Sequence, residues 1–314
     1  MTEKKRLRVA LLAGGKSGER EVSLSGGKEV YKALDKEKYD VLQYDPATDL
    51  DRLVADASDL DVAFVLLHGP FGEDGTVQGF LDLLGIPYQG SGVLGSAVAM
   101  DKNLSKILYR NEGIPAPDWR MISRNDPMAP DRLMDQLGLS IVVKPVRQGS
   151  SLGMSIVHSK EELEAGLKKA FRYDQDVMVE QYIKGREITC GVIGNDDLTA
   201  LPVVEIIPGE TYAFFDYQAK YQAGATTEIC PAELSPELTR KAHSIGIAAH
   251  RALMLKGYSR SDMIVSDRDN EIYLLETNTI PGMTPTSLLP RSAEVFGLSF
   301  SQLIDRLLEL ALES

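Results

Sequence analysis

An N-terminal α/β domain built on a parallel sheet, a small central α+β domain and a C-terminal domain built on antiparallel strands are the fold this 314-residue sequence predicts. Three observations carry the prediction. Short apolar runs alternate with helical spacings over the first hundred residues. A Gly-Ile-Pro-Ala-Pro segment at 113–117 then interrupts the chain. Beyond residue 186, Val- and Ile-rich runs separated by polar turns read as antiparallel strands. The boundaries that follow are 1–100, 101–186 and 187–314.

LRVALLAG and DVAFVLLHG are Val- and Leu-rich runs of the kind buried in parallel sheets. Between them, Val30 and Leu34 stand four apart, a helical spacing. In DGTVQGFLDLLG, Val77, Phe80, Leu81 and Leu84 share one helix face, and Gly85 ends it. Such alternation places ligands beyond the carboxyl ends of the strands, where the loops GGKSGEREVS and HGPFGEDG fall. A helix with Leu104, Ile107 and Leu108 closes at Gly113. IVVKP, SKEELEAGLKKAF and DVMVEQYI read as strand, helix and strand, the helix opened by a capping box of Ser159 and Glu162. REITCGVIG and LPVVEII start the antiparallel part, followed by the aromatic loop ETYAFFDYQAKYQAGA. A helix at about 235–255, two strands around SDRDNE and the amphipathic SFSQLIDRLLELAL complete the chain.

Charge narrows the partners. With 46 acidic against 34 basic residues and a net charge of −12, nucleic acid and anionic membranes are poor partners. An anionic small molecule stays compatible if a few lysines and a metal converge on it. No apolar run approaches the ~20 residues of a membrane span. The apolar stretch at the N-terminus runs into Gly-Gly-Lys, which reads as a strand and not an export signal. Cys190 and Cys230 are the only cysteines, so a disulfide framework is not expected and a cytoplasmic enzyme is.

Chemistry concentrates late in the chain. Residues two apart on a strand point the same way, which pairs Arg260 with Asp262 and Glu276 with Asn278. If the two strands share a face, hard oxygen donors and a guanidinium converge, a set suited to magnesium. A solvated ion pair is the competing reading. It fits poorly beside the apolar MIV and IYLL, because buried carboxylates need partners. Lys102, Lys144 and Lys220 lie in separate segments, and any one alone is more simply a surface lysine. Lys144 ends a β-branched run and precedes RQGSSLG, whose amides and hydroxyls at Ser150 and Ser151 suit a phosphate or merely form a flexible turn. It matches neither a P-loop nor a dinucleotide fingerprint. Glu180 and Glu187 flank a short connector, which could hold a nucleoside or be two surface carboxylates around a turn. Of the four histidines, His68 directly follows a buried strand, unlike His158, His243 and His250.

GGKSGEREVSLSGG, HGPFGEDGTVQG, GSGVLGSAVAMDK, VVKPVRQGSSLGMS, FFDYQAKY and LLETNTIPGMTPTSL together resemble D-alanine–D-alanine ligases of the ATP-grasp superfamily, in order and over nearly the whole chain. The resemblance implies an ATP-grasp fold behind a Rossmann-like N-terminal domain, and ligation of two D-alanine molecules through a D-alanyl phosphate. It implies ATP contacts from Lys102, Lys144, Ser151 and Lys220, adenine held by Glu180 and the backbone at Ile183, and ribose held by Glu187. Asp262, Glu276 and Asn278 match the ligands of magnesium or manganese, usually two ions. Glu19 matches the carboxylate for the first D-alanine ammonium, with Ser150 and Tyr221 as its partners and His68 near that substrate. Arg260 and the Gly282 amide match the oxyanion donors, and Ser287 and Leu288 the second carboxylate site. The 149–153 and 212–221 loops match lids, and a homodimer is implied. The family often has Tyr where Phe215 stands here. In that family Tyr at the position of Tyr221 goes with dipeptide formation, so the resemblance implies D-alanine and not D-lactate as the second substrate. A relative using another acid or nucleophile, and a nucleotide-binding module without catalysis, are the rival readings.

Overall fold

The computed structural model describes residues 6–125, 130–209 and 226–313. Strands β1 (Leu7–Ala13), β2 (Tyr39–Tyr44) and β3 (Val62–Leu66) form a parallel sheet in the order β2-β1-β3. Helices α1 (Arg20–Ala33), α2 (Leu50–Asp56) and α3 (Thr76–Leu84) accompany it, and α4 (Val93–Met100) and α5 (Lys102–Asn111) lead away. Gly85 ends α3 at φ 68°, a left-handed turn that glycine adopts without steric cost. The loop expected at GGKSGEREVS is loop only in its first half, because α1 begins at Arg20. Ser23 explains the early start. Its hydroxyl accepts from the Gly14 amide at 2.7 Å and donates to the Leu66 carbonyl, tying the first turn of α1 to both strand ends.

Of the three apolar residues that mark α5, only Leu108 packs on the core. Leu104 and Ile107 are exposed, whereas Lys106 and Tyr109 are fully buried. Polar partners decide the rotation: the Tyr109 hydroxyl donates to Thr277 at 2.9 Å, and Lys106 meets Glu180. Asp101 caps the helix by accepting from the amides of Asn103 and Leu104.

In the middle of the chain β4 (Trp119–Ser123), β5 (Ile141–Pro145), β6 (Ser155–Val157) and β7 (Asp176–Gln181) form an antiparallel sheet in the order β4-β7-β5-β6. Helices α6 (Pro130–Leu137) and α7 (Lys160–Ala170) bring Leu133 and Leu163 onto Ile122, Ile141, Val143, Val177 and Val179. Ser159 caps α7, but the Glu162 carboxylate returns to the His158 amide at 2.7 Å, one residue short of a reciprocal box.

The last sheet holds β8 (Gly185–Ile193), β9 (Thr199–Ala200), β10 (Val204–Pro208), β11 (Thr226–Ile229), β12 (Tyr258–Ser266) and β13 (Ile272–Asn278). Its order is β11-β10-β8-β12-β13, antiparallel throughout, with β9 on β8. Helix α8 (Pro236–Ala252) covers one face, and α9 (Leu288–Phe296) and α10 (Phe300–Leu312) follow. Leu303, Ile304, Leu307 and Leu308 of α10 share one core with Val9, Leu11, Phe64 and Leu66 of the parallel sheet and with Ile193 and Tyr258 of the antiparallel one. The end of the chain thus binds its beginning to the sheet that carries the polar cluster.

Candidate active site

Two strands supply that cluster. In the β12–β13 pairing Arg260 stands opposite Asn278 and Asp262 opposite Glu276, with a bulge after Asp262. The faces predicted separately from spacing are therefore one face. Asp262 is buried and accepts from three side chains. Arg260 grips it with Nε on Oδ1 at 2.8 Å and Nη2 on Oδ2 at 2.7 Å. Thr189 donates to Oδ1 at 2.7 Å and Asn278 Nδ2 to Oδ2 at 3.0 Å. Lys102 lies 3.3 Å from Glu276 and donates to the Gln148 carbonyl at 2.8 Å, joining the 147–153 loop to β13.

Across from these strands, β5 and β7 bring Lys144 Nζ to 2.9 Å from Glu180 Oε1, and α5 brings Lys106 Nζ to 2.5 Å from Oε2. Burial alone would raise Glu180, but the two lysines outweigh it and hold the carboxyl below its ordinary range. Burial lowers Lys106 to about 8 against the opposing pull of Glu180.

Two cavities adjoin. One, of about 130 Å³, is lined by Lys102, Lys144, Ser151, Glu180, Ile183, Glu187, Asp262 and Glu276. The other, of about 490 Å³, is lined by Glu19, His68, Ser150, Arg260, Asn278, Gly282, Ser287 and Leu288. Gly149 and Ser150 line both. Ser150 and Ser151 adopt left-handed φ values of 49° and 56°, a strained arrangement of the kind that collects at ligand sites. The Ser150 hydroxyl donates to the buried Glu19 carboxylate, so the loop rests on the second cavity. A Cβ on Gly149 would stand 3.0 Å from Glu19 Oε2, which is why the loop approaches so closely at that residue. Ser287 Oγ accepts from the Thr284 amide at 3.1 Å and faces Gly282, which has no side chain to block it.

Burial lowers His68 below the ordinary imidazole range, with Glu19 pulling the other way and Arg260 reinforcing the fall. The imidazole is neutral near pH 7. Burial and the Glu19 charge raise Glu73 to about 8, against the Gly69 and Ile280 amides and Lys102.

The structure thus brings together every sequence-predicted site residue it describes. Lys220, Tyr221, Phe215 and the 212–221 loop lie outside the described residues. Among the described residues, no three His, Cys, Asp or Glu side chains group as a self-sufficient metal site. Two carboxylates and an amide on facing strands nevertheless fit a hard divalent ion that completes its shell with phosphate oxygens. Sequence reading missed Lys106, Glu73 and Thr189. Lys106 had a signal: it lies four residues after Lys102 and three before Tyr109, at helical spacing. Glu73 stood inside HGPFGEDG without being singled out.

Comparison with known proteins fits this geometry. The family described as "D-ala D-ala ligase C-terminus" matches residues 108–309, and "D-ala D-ala ligase N-terminus" matches 8–51 and 45–91. The chain belongs to the D-alanine–D-alanine ligase family. The D-alanine--D-alanine ligase of Desulfotalea psychrophila is 59% identical over 309 residues, 98% of this chain and 96% of that one. The one from Syntrophobacter fumaroxidans is 59% identical over 312 residues, 99% of each. The Bacillus anthracis D-alanine--D-alanine ligase complexed with ATP superposes with a TM-score of 0.86 at 40% identity, covering 98% of both chains. The VanG D-Ala:D-Ser ligase from Enterococcus faecalis superposes at 0.84 with 32% identity, covering 98% of this chain and 100% of that one. The antiparallel sheets with the parallel sheet before them are the ATP-grasp architecture of this family. No helix among the described residues is long and apolar enough to cross a membrane.

Proposed function

We propose that the chain joins two D-alanine molecules to D-alanyl-D-alanine, with ATP converted to ADP and phosphate through a D-alanyl phosphate, as a step in building peptidoglycan precursors. The observation that carries the reading is the pair of adjoining cavities, one lysine-lined and one with carboxylate and guanidinium at its walls, sharing the Gly149–Ser150 wall. A zwitterionic amino acid suits the second, and its carboxylate would lie where the first cavity delivers a phosphoryl group.

Glu19 takes the ammonium of the first D-alanine in this reading, held in place by Ser150. Neutral His68 sits beside that substrate without repelling its ammonium. Lys102 and Lys144 neutralise the phosphates, Ser151 hydrogen-bonds to the nucleotide and Lys220 contacts a phosphate or the adenine side, while Glu180, the Ile183 backbone and Glu187 hold adenine and ribose. Asp262, Glu276 and Asn278 would hold one or two magnesium or manganese ions, which supply charge neutralisation between nucleotide and acyl phosphate. The amine of the second D-alanine, placed by Ser287 and the Leu288 backbone, attacks the activated carbonyl. Arg260 and the Gly282 amide then stabilise the developing oxyanion. An acyl phosphate hydrolyses in water, so the 149–153 loop, lying over both cavities, excludes solvent. The 212–221 loop, with Tyr221 and Phe215, completes the lid in this proposal. Residues 1–100, 101–186 and 187–314 act as three domains around the cleft. A homodimer, supported by the exposed Leu24 and Tyr31 on α1, and a cytoplasmic setting, supported by two free cysteines, belong to the same reading.

The test is magnesium-dependent ADP release with D-alanine, with L-alanine, and with D-alanine plus D-lactate or D-serine, the products identified by mass. D-alanyl-D-alanine from D-alanine alone is the expected result. A depsipeptide or D-alanyl-D-serine as main product would reassign the second substrate. ATP binding without D-alanine-dependent turnover would leave a nucleotide-binding module.

A further inference from the structure

Three charges are buried behind the nucleotide cavity, and only two of them reach it. Lys144 and Glu180 line the cavity, and Lys106 does not. Glu180 on β7 stands across the sheet from Trp119 on β4 and, diagonally, beside Lys144 on β5, so all three side chains share one sheet face. Lys106 arrives from α5 on that face, wholly buried, with its Nζ 2.5 Å from Glu180, 3.3 Å from the Pro117 carbonyl and 5.4 Å from the centre of the Trp119 ring.

With Glu180 alone as its neighbour, Lys144 would be half of a neutral buried pair and would offer an anion little net attraction. Lys106 changes the count: two positive charges flank one negative, leaving one positive charge in excess at the cavity wall. Because Glu180 is only 2% exposed, solvent does little to provide that compensation itself. We propose that Lys106 is a positioning residue of the nucleotide site: it orients the Glu180 carboxylate and compensates its charge, so that Lys144 keeps its positive charge for the triphosphate. The inference rests on the reading of this cavity as the ATP site.

Equilibrium binding of ATP with Mg²⁺ to the full chain tests it as a double-mutant cycle on Lys106→Met and Glu180→Gln. Lys106→Met should weaken ATP on the order of tenfold while KM for D-alanine stays near its starting value. In the Glu180→Gln background Lys106 has lost the carboxylate that sustains its charge against burial, so the same substitution should have little effect. Unchanged ATP affinity in Lys106→Met, or an equal loss in both backgrounds, overturns the proposal. A Lys144→Met variant separates the two levels. If it binds ATP normally, the cavity assignment itself fails, whereas if it binds weakly and Lys106→Met does not, only the role of Lys106 fails.

Should Lys106→Met not fold, the unmutated chain supplies a second test. Burial, Lys144 and Arg110 lower Lys106 against Glu180 to about 8, so its compensating charge is lost just above neutrality. ATP affinity should then fall between about pH 7.5 and 9, and an affinity flat across that range overturns the proposal.

Discussion

Glu73 shows how a carboxyl can be kept neutral inside an otherwise anionic protein. Its folded value of about 8 lies above the ordinary 4.5 because burial and the neighbouring Glu19 both disfavour the charged form. Folding therefore favours the protonated carboxyl. That stability is fully present below the unfolded value and is lost as pH rises through the folded one. Glu73→Gln mimics the protonated form and should remove this dependence. In the ligand-free chain, the urea midpoint of the unmutated protein should fall relative to Glu73→Gln between about pH 5 and 8.5. Parallel midpoints across that range would show that Glu73 ionises as an ordinary surface carboxyl. Glu276 answers to a different probe. As a proposed metal ligand that also lies beside Lys102, it should, as Glu276→Gln, raise the magnesium concentration for half-maximal ADP release by about tenfold or more. An unchanged magnesium dependence would remove it from the ligand set.

At the scale of elements, the 147–153 loop is held by its glycines as much as by its hydrogen bonds. Gly153 has φ 76°, and a Cβ there would stand 2.7 Å from the Tyr173 ring and 2.9 Å from Pro145. Gly153→Ala should displace the loop from Glu19, lowering kcat/KM for ATP about tenfold. Thermal unfolding should shift less, since the loop contributes little to the main cores. Equal damage to turnover and to Tm would point to a general packing role instead. Elements also mark where the sequence was informative. The period-two spacing of Arg260, Asp262, Glu276 and Asn278 was readable because β12 and β13 are regular up to the bulge. Their register was not, because it depends on pairing between separate segments. β2 went unnoticed because its middle residues are only half buried and give no clean alternation. On α5 the apolar pattern was only partly informative, since Leu108 packs on the core while Leu104 and Ile107 are exposed and a buried lysine and tyrosine take their place. Hydrophobic periodicity cannot report an ionic partner that arrives from another sheet.

Across the whole molecule, the proposed substrate cavity is assembled from both ends of the chain. Glu19 and His68 come from loops beyond the parallel sheet, whereas Arg260, Asn278 and Gly282 come from the β12–β13 end of the antiparallel one. What holds those walls in register is the core under α10, where Leu307 has no exposed surface and packs in one cluster with residues of both sheets. Leu307→Ala removes buried methyl groups and leaves a cavity between the two halves, for a loss of about 2–5 kcal/mol of unfolding free energy. Its functional signature should follow from position. The proposed ATP cavity is lined from α5, β5 to β8, β12, β13 and the 147–153 loop, with no residue of α10 among its walls. At temperatures where Leu307→Ala remains folded, KM for D-alanine should therefore rise several-fold while ATP affinity changes little. Urea unfolding at equilibrium gives the first number and substrate titrations give the second. An equal rise in both would mean that the two sheets move as one body. The α10 core would then set only how stable the protein is, not how its substrate walls are spaced.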